Sequence, residues 1–144
     1  KDLITLYDKY LSDVDIILHA GDFICEDVIK FLSTKKPFYG VSGNMDGYDV
    51  KKILPSKRII QIEDCNIGLI HGWGSSEGLE QRVALEFQDV DVIVYGHSHT
   101  STNRKKGNIL FFNPGAAIGY PSTPRRSIGI IEIGESINGI IIDI

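Results

Sequence analysis

The stretch DIILHAGD, Asp15–Asp22, decides the fold. Ile16, Ile17 and Leu18 form a short apolar run bounded by polar residues, the pattern of a strand buried on both faces of a parallel sheet. It ends in Ala20–Gly21–Asp22, a small-residue loop that delivers one carboxylate. Three further runs repeat the arrangement. PFYGVS (37–42) leads to Gly43–Asn44–Met45–Asp46, IGLI (67–70) to His71–Gly72, and DVIVY (91–95) to Gly96–His97–Ser98–His99. Open α/β sheets build their sites outside the carboxyl ends of their strands. One crevice is therefore expected to collect Asp22, Asn44, His71, His97 and His99.

Around these runs the periodicity changes. The opening stretch, with Leu3, Ile4, Leu6, Tyr7, Tyr10 and Leu11, and the segment Cys25–Leu32 both have helical spacing. Glu77–Phe87 does too, with Leu79, Val83, Ala84 and Phe87 on one face. Lys57–Ile62 and Ile67–His71 flank a polar turn at Asp64–Asn66 and predict a hairpin. Ile109–Phe112, Ile128–Ile133 and Ile140–Ile144 predict later strands, with turns at Gly107–Asn108 and Gly134–Gly139. Strand–helix alternation in the first half implies a parallel sheet, and strand following strand in the second implies an antiparallel portion. The expected class is α/β: two packed mixed β-sheets flanked by helices, as a single domain over residues 1–144. The opening helix has no strand before it, where a βαβ fold places a central one. A missing N-terminal strand and its loop are therefore expected upstream of this sequence.

Composition narrows the function classes. The chain is 42% hydrophobic and 24% charged, values of a globular domain rather than a disordered one. A formal net charge of −4 argues against a generic grip on nucleic acid or an anionic membrane. No apolar run approaches the ~20 residues that span a bilayer. Two cysteines, Cys25 and Cys65, are too few for a disulfide framework, so free thiols in the cytoplasm are the default expectation.

Carboxylate, amide and imidazole together make an oxygen and nitrogen donor set suited to a transition metal. Gly21, Gly43, Gly72 and Gly96 each adjoin a candidate ligand, and glycine permits sharp turns and close backbone approach. Three of the four histidines lie in these loops.

In order and spacing, Gly21–Asp22, Gly43–Asn44, His71–Gly72 and the GHSH of Gly96–His99, followed by Asn113–Pro114–Gly115, resemble the calcineurin-like metallophosphoesterases. The likeness is to their small single-domain bacterial and archaeal phosphodiesterase branch. It implies a metal-dependent phosphodiester hydrolase with a dinuclear centre of two divalent cations, Mn²⁺ first and Fe²⁺, Zn²⁺ or Ni²⁺ as other candidates. Asp22 would bridge the two metals, Asn44, His71 and His97 would complete one site, and His99 would belong to the other. Asp22, Asn44 and His97 form the implied catalytic set. A hydroxide shared by the metals would attack a small phosphodiester or phosphate-ester substrate in line, and activity would fall below about pH 6 as the histidines protonate.

The family opens on a strand ending in Asp-x-His, and these 144 residues contain no such motif. Strong occupancy of the first site, weak occupancy of the second and loss of activity are expected for the chain as given. Methionine follows Asn44 where larger relatives carry histidine, so Met45 supplies no proton and activated aryl esters are the expected better substrates. A non-catalytic binding or scaffold module of the same fold is the alternative reading, with retention of Asp22 favouring the enzyme. A nuclease is disfavoured by the acidic balance, no membrane partner is expected, and a homo-oligomer is left open.

Other residues carry two readings each. Asp46 either bonds a ligand or caps the next helix, and His19 supports a ligand or packs. Arg125 and Arg126 meet a substrate phosphate or solvent, and Trp73 and Tyr120 line the crevice or pack. Arg104–Lys106 reads as a solvated edge, and neither cysteine is assigned a catalytic role.

Overall fold

The computed structural model describes residues 2–23, 26–118 and 124–144. Cys25 and Tyr120, both discussed above, lie outside them. The architecture is α/β. A short helix α1 (Asp2–Leu6) runs into a π turn (Tyr7–Leu11), followed by β1 (Ile17–His19), α2 (Glu26–Lys35), β2 (Phe38–Gly40) and α3 (Tyr48–Ile53). Then come β3 (Lys57–Ile62), β4 (Cys65–Ile70), α4 (Leu79–Ala84), β5 (Val92–Val94), β6 (Thr102–Lys106), β7 (Ile109–Asn113), β8 (Ser127–Ile133) and β9 (Ile137–Asp143).

The central layer is a five-stranded mixed sheet in the order β3-β4-β5-β7-β6. Its middle strands β4, β5 and β7 are parallel, and antiparallel partners β3 and β6 close the two edges. Alternate side chains therefore divide between two faces. Ile67, Leu69, Val92, Val94, Leu110 and Phe112 meet the second strand layer. Ile70, Ile93 and Phe111 meet Leu79 and Val83, which lie one turn apart on α4. Burial on both faces is why these strands read as unbroken apolar runs.

The second strand layer differs in detail from the expected single sheet. It consists of two separate ladders: β1 parallel to β2, and β8 antiparallel to β9. Leu18, Tyr39 and Val41 from the first, and Ile131, Ile133, Ile137 and Ile141 from the second, pack into the same cluster. Helices back the β1–β2 pair through Tyr7, Ile17 and Leu32, and through Phe23, Ile29 and Val50. The sequence of layers is helix, sheet, strand pairs, helices.

α2 shows why its residues are helical. Ile29 and Leu32 are buried on one face, Glu26 and Asp27 begin it and Lys35 ends it, charges that complement the helix dipole. Cys65 was expected in the hairpin turn but opens β4, where it is 4% exposed within the core and its thiol pKa is raised by burial. The turn itself is Glu63–Asp64, with Glu63 at φ 54°. No described helix is long and apolar enough to cross a membrane.

Candidate metal centre

The parallel strands set the direction of the site. β4, β5 and β7 end on one side of the sheet, immediately before His71, Gly96–His97 and Pro114. β1 and β2, also parallel, lead to Asp22 and to Gly43–Asn44. The chain bends sharply as it leaves these strands. Asp22, His97 and His99 adopt left-handed backbone conformations at φ 62°, 70° and 62°. Such angles are uncommon for residues other than glycine and persist only where the surrounding structure fixes them. Gly21 at φ +104° makes the first bend possible. At Gly43 a Cβ would collide with the Asp22 carboxylate and lie 2.7 Å from the Asp22 nitrogen, so only glycine admits the two loops at this separation.

Asp46 holds those loops together. Its Oδ2 accepts the backbone N–H of Asp22 (2.9 Å) and of Gly43 (2.6 Å), and its Oδ1 accepts that of Phe23 (2.6 Å). The side chain is buried. Of the two readings made from sequence, capping fails, since α3 starts at Tyr48 with Gly47 as an N-cap that makes no side-chain bond; the carboxylate instead accepts from the backbone of candidate ligand Asp22 and from two further backbone donors. Asn113 does the corresponding work across the cleft. It is fully buried, and its Nδ2 donates to the Gly96 carbonyl and to Ser98 Oγ, each at 3.1 Å, pinning the loop that carries His97 and His99.

Four of the five predicted donors meet. His71 is buried at 4% exposure, with Nδ1 2.7 Å from the Ala20 carbonyl. That oxygen can only accept, so Nδ1 carries the proton. Burial lowers the His71 pKa, opposed in part by the Ala20 bond and by Asp22, so the ring is neutral at pH 7. The lone pair of Nε2 then faces Asn44 Oδ1 at 2.8 Å and Asp22 Oδ2 at 3.3 Å. His97 repeats the logic: Nε2 donates to the Gly74 carbonyl at 2.7 Å, leaving Nδ1 toward Asn44 Oδ1 at 3.4 Å. The two rings are T-shaped, 5.3 Å apart. His99 follows on the same loop, beyond Ser98. Among the described residues no three His, Cys, Asp or Glu side chains stand as a closed cage, and Asn44 is what joins the set.

This donor set fits a divalent cation on chemical grounds. The lone pair of the neutral His71 imidazole meets the Asn44 amide oxygen and the Asp22 carboxylate with no proton to share with either. Such a focus is repulsive by itself and is relieved by a positive ion.

The remaining residues also find their places. His19 accepts the Gly21 N–H at Nδ1 (3.1 Å) and stacks on Phe23 with ring centroids 3.7 Å apart, so it both supports the Asp22 loop and packs. Arg125 pairs with Asp143 at 2.6 Å and Arg126 donates to the Ala117 carbonyl at 2.9 Å. Arg104–Lys106 lie exposed on edge strand β6, as expected, and Arg104 is also paired with Glu80. Trp73 lines the crevice.

The His19 environment makes a prediction about acid stability. Burial lowers its pKa from 6.5 to about 4. The folded state favours the neutral ring, so its contribution is complete above pH 6.5 and is lost as pH falls from 6.5 toward 4, by at most about 3 kcal/mol. Urea unfolding at several pH values is expected to show this slope, and His19→Asn, which keeps an acceptor for Gly21, is expected to flatten it.

The α/β fold thus gathers carboxylate, amide and imidazole donors in one strand-end crevice. The Calcineurin-like phosphoesterase superfamily domain matches residues 3–136, and the chain belongs to that superfamily. It is 32% identical over 142 residues to a probable metallophosphoesterase of Methanocaldococcus jannaschii, covering 96% of this chain and 71% of that protein. It is 31% identical over 133 residues to a phosphodiesterase of the same archaeon, covering 84% and 78% respectively. Among solved structures, wild-type Vps29 of Entamoeba histolytica in complex with zinc superposes with a TM-score of 0.74 at 25% identity, covering 97% and 88% of the two chains.

Proposed function

We propose that the protein is a divalent-metal-dependent phosphodiesterase whose centre is built on Asp22, Asn44, His71 and His97, with His99 serving a second cation. The supporting observation is the convergence of Asp22 Oδ2, Asn44 Oδ1 and His71 Nε2 within hydrogen-bonding range while none has a proton for the others. Membership of the phosphoesterase superfamily and the likeness to an archaeal phosphodiesterase support the reaction class.

Asp22, Asn44, His71 and His97 would hold the first ion, Mn²⁺ being the leading candidate. When bound, the divalent ions supply the Lewis acidity that activates water and offsets charge gathering on the phosphoryl oxygens. The chain's own residues prepare that setting. Asp46 fixes the Asp22 backbone, Ala20 fixes the His71 tautomer, and Gly74 fixes that of His97. The side chain after Asn44 cannot protonate a departing alkoxide: Met45 offers a thioether, and its backbone N–H is already given to Asp22 Oδ1 at 2.8 Å.

The test is an assay of the full-length protein on bis(p-nitrophenyl) phosphate and on an alkyl phosphodiester, with Mn²⁺ and with EDTA. Hydrolysis is expected only with metal, and at least about 10²-fold faster for the aryl ester, since a positioned general acid contributes that much when present. Metal-independent turnover sinks the proposal, and equal rates on the two esters sink the account of Met45.

A further inference from the structure

A cleft of about 600 Å³ opens beside the donor cluster and extends past it. Asn44 and His71 are among its lining residues. Trp73, on the turn directly after His71–Gly72, lines it together with Leu54, Pro55 and Ser56. Trp73 is 45% exposed, an unusual state for so large an aromatic surface, which is normally buried in a core or covered by a partner. Two ammonium groups also line the cleft. Lys57 is engaged, with Nζ 2.8 Å from Glu86 Oε1. Lys51, near the end of α3, makes no ion pair among the described residues.

The combination is selective. A cleft of this volume matches a nucleoside-sized group, since small-molecule sites run from about 300 to 1,000 Å³. An exposed indole offers a stacking face to a planar base. An uncommitted ammonium offers a counter-charge to a phosphate. The cleft starts where a scissile phosphodiester would be held, so it continues along one ester arm of the substrate.

We propose that this cleft is a specificity pocket for a nucleotide-type group, with the base stacked on Trp73 and an anionic phosphate drawn by Lys51. The proposal rests on the phosphodiesterase reading only in treating that group as part of the substrate. Binding itself can be read without turnover.

Trp73 is the single tryptophan of these 144 residues, and comparison with Trp73→Phe isolates its share of the full-length protein's emission. The full-length protein in EDTA is titrated with AMP, adenosine and ribose 5-phosphate. Saturable quenching is expected with AMP and adenosine and none with ribose 5-phosphate. AMP is expected to bind about three- to fivefold more tightly than adenosine, the strength of one exposed ion pair. Lys51→Gln is expected to remove that difference while leaving adenosine unchanged. Absence of quenching by either base-containing probe overturns the pocket, and an AMP advantage that survives in Lys51→Gln overturns the role of the lysine. Hydrolysis of bis(p-nitrophenyl) phosphate without quenching overturns this inference and spares the enzyme. Quenching without hydrolysis supports the pocket and removes the enzymatic reading.

Discussion

Asp46→Ala is expected to destabilise the protein by about 3–5 kcal/mol, the range for stranding buried polar groups that lose charged partners. Three backbone N–H groups, from Asp22, Phe23 and Gly43, lose their acceptor together. Folded domains keep only about 5–15 kcal/mol in all, so the loss is a large share of it. Asp46→Asn is expected to be nearly as damaging, which is the more telling test. Both oxygens of Asp46 are in use, so an amide must turn its NH₂ toward a backbone donor in either orientation. Urea denaturation followed by circular dichroism reads both variants. A change below about 1 kcal/mol in Asp46→Asn would show that the carboxylate is not the clamp described here.

Asp22→Asn is expected to abolish metal binding and lower phosphodiesterase activity in the full-length protein by at least about 10³-fold, the scale on which a central electrostatic group acts. Its effect on stability should be opposite in character to that at Asp46. The substituted amide can still accept the Met45 N–H at Oδ1, and its new Nδ2 faces His71 Nε2, which lacks a donor. A repulsive contact becomes a hydrogen bond, so the metal-free variant should be at least as stable as the parent. Calorimetric titration with Mn²⁺, an activity assay and a melting curve test the three parts. Retained metal affinity would remove Asp22 from the centre, and a destabilised variant would show that its carboxylate serves the fold.

The contrast between these two aspartates shows what was legible in the sequence. Asp22 could be read because it terminates an apolar run, and the strand-end rule needs only local pattern. Asp46 could be read only as one of two alternatives, a bond with a ligand or a helix cap, because its three partners come from residues 22, 23 and 43 and meet only after two loops are brought together. The available sign was an acidic residue two positions after Asn44 in a loop bounded by Gly43 and Gly47. Elements divide in the same way. β5 declared itself through side chains buried on both faces, whereas β6, TNRKK, carries none of that pattern and is a strand only because its backbone pairs with β7. α3 buries Val50 alone, leaving Tyr48 and Ile53 exposed, so it has no apolar stripe to recognise. β9 begins at Ile137, earlier than expected, because the register sets it directly opposite Ile133 across the turn.

The split of the second strand layer follows from the same distinction. Hydrophobicity predicts that segments cover the sheet, and both ladders do so. It does not specify which backbones bond to which, and that is where expectation and structure part.

The distribution of the donors from Asp22 to His97 has a consequence for assembly. Apart from His97 and His99 the proposed donors lie far apart in sequence, so the unfolded polypeptide keeps only that pair together and competes less well for an ion. A cation held as proposed would therefore favour the native state, by an amount that grows with the logarithm of ion concentration above the dissociation constant. Cation supply would thus act on the fold as well as on turnover, with scarcity loosening the β1 and β5 exits as activity is lost.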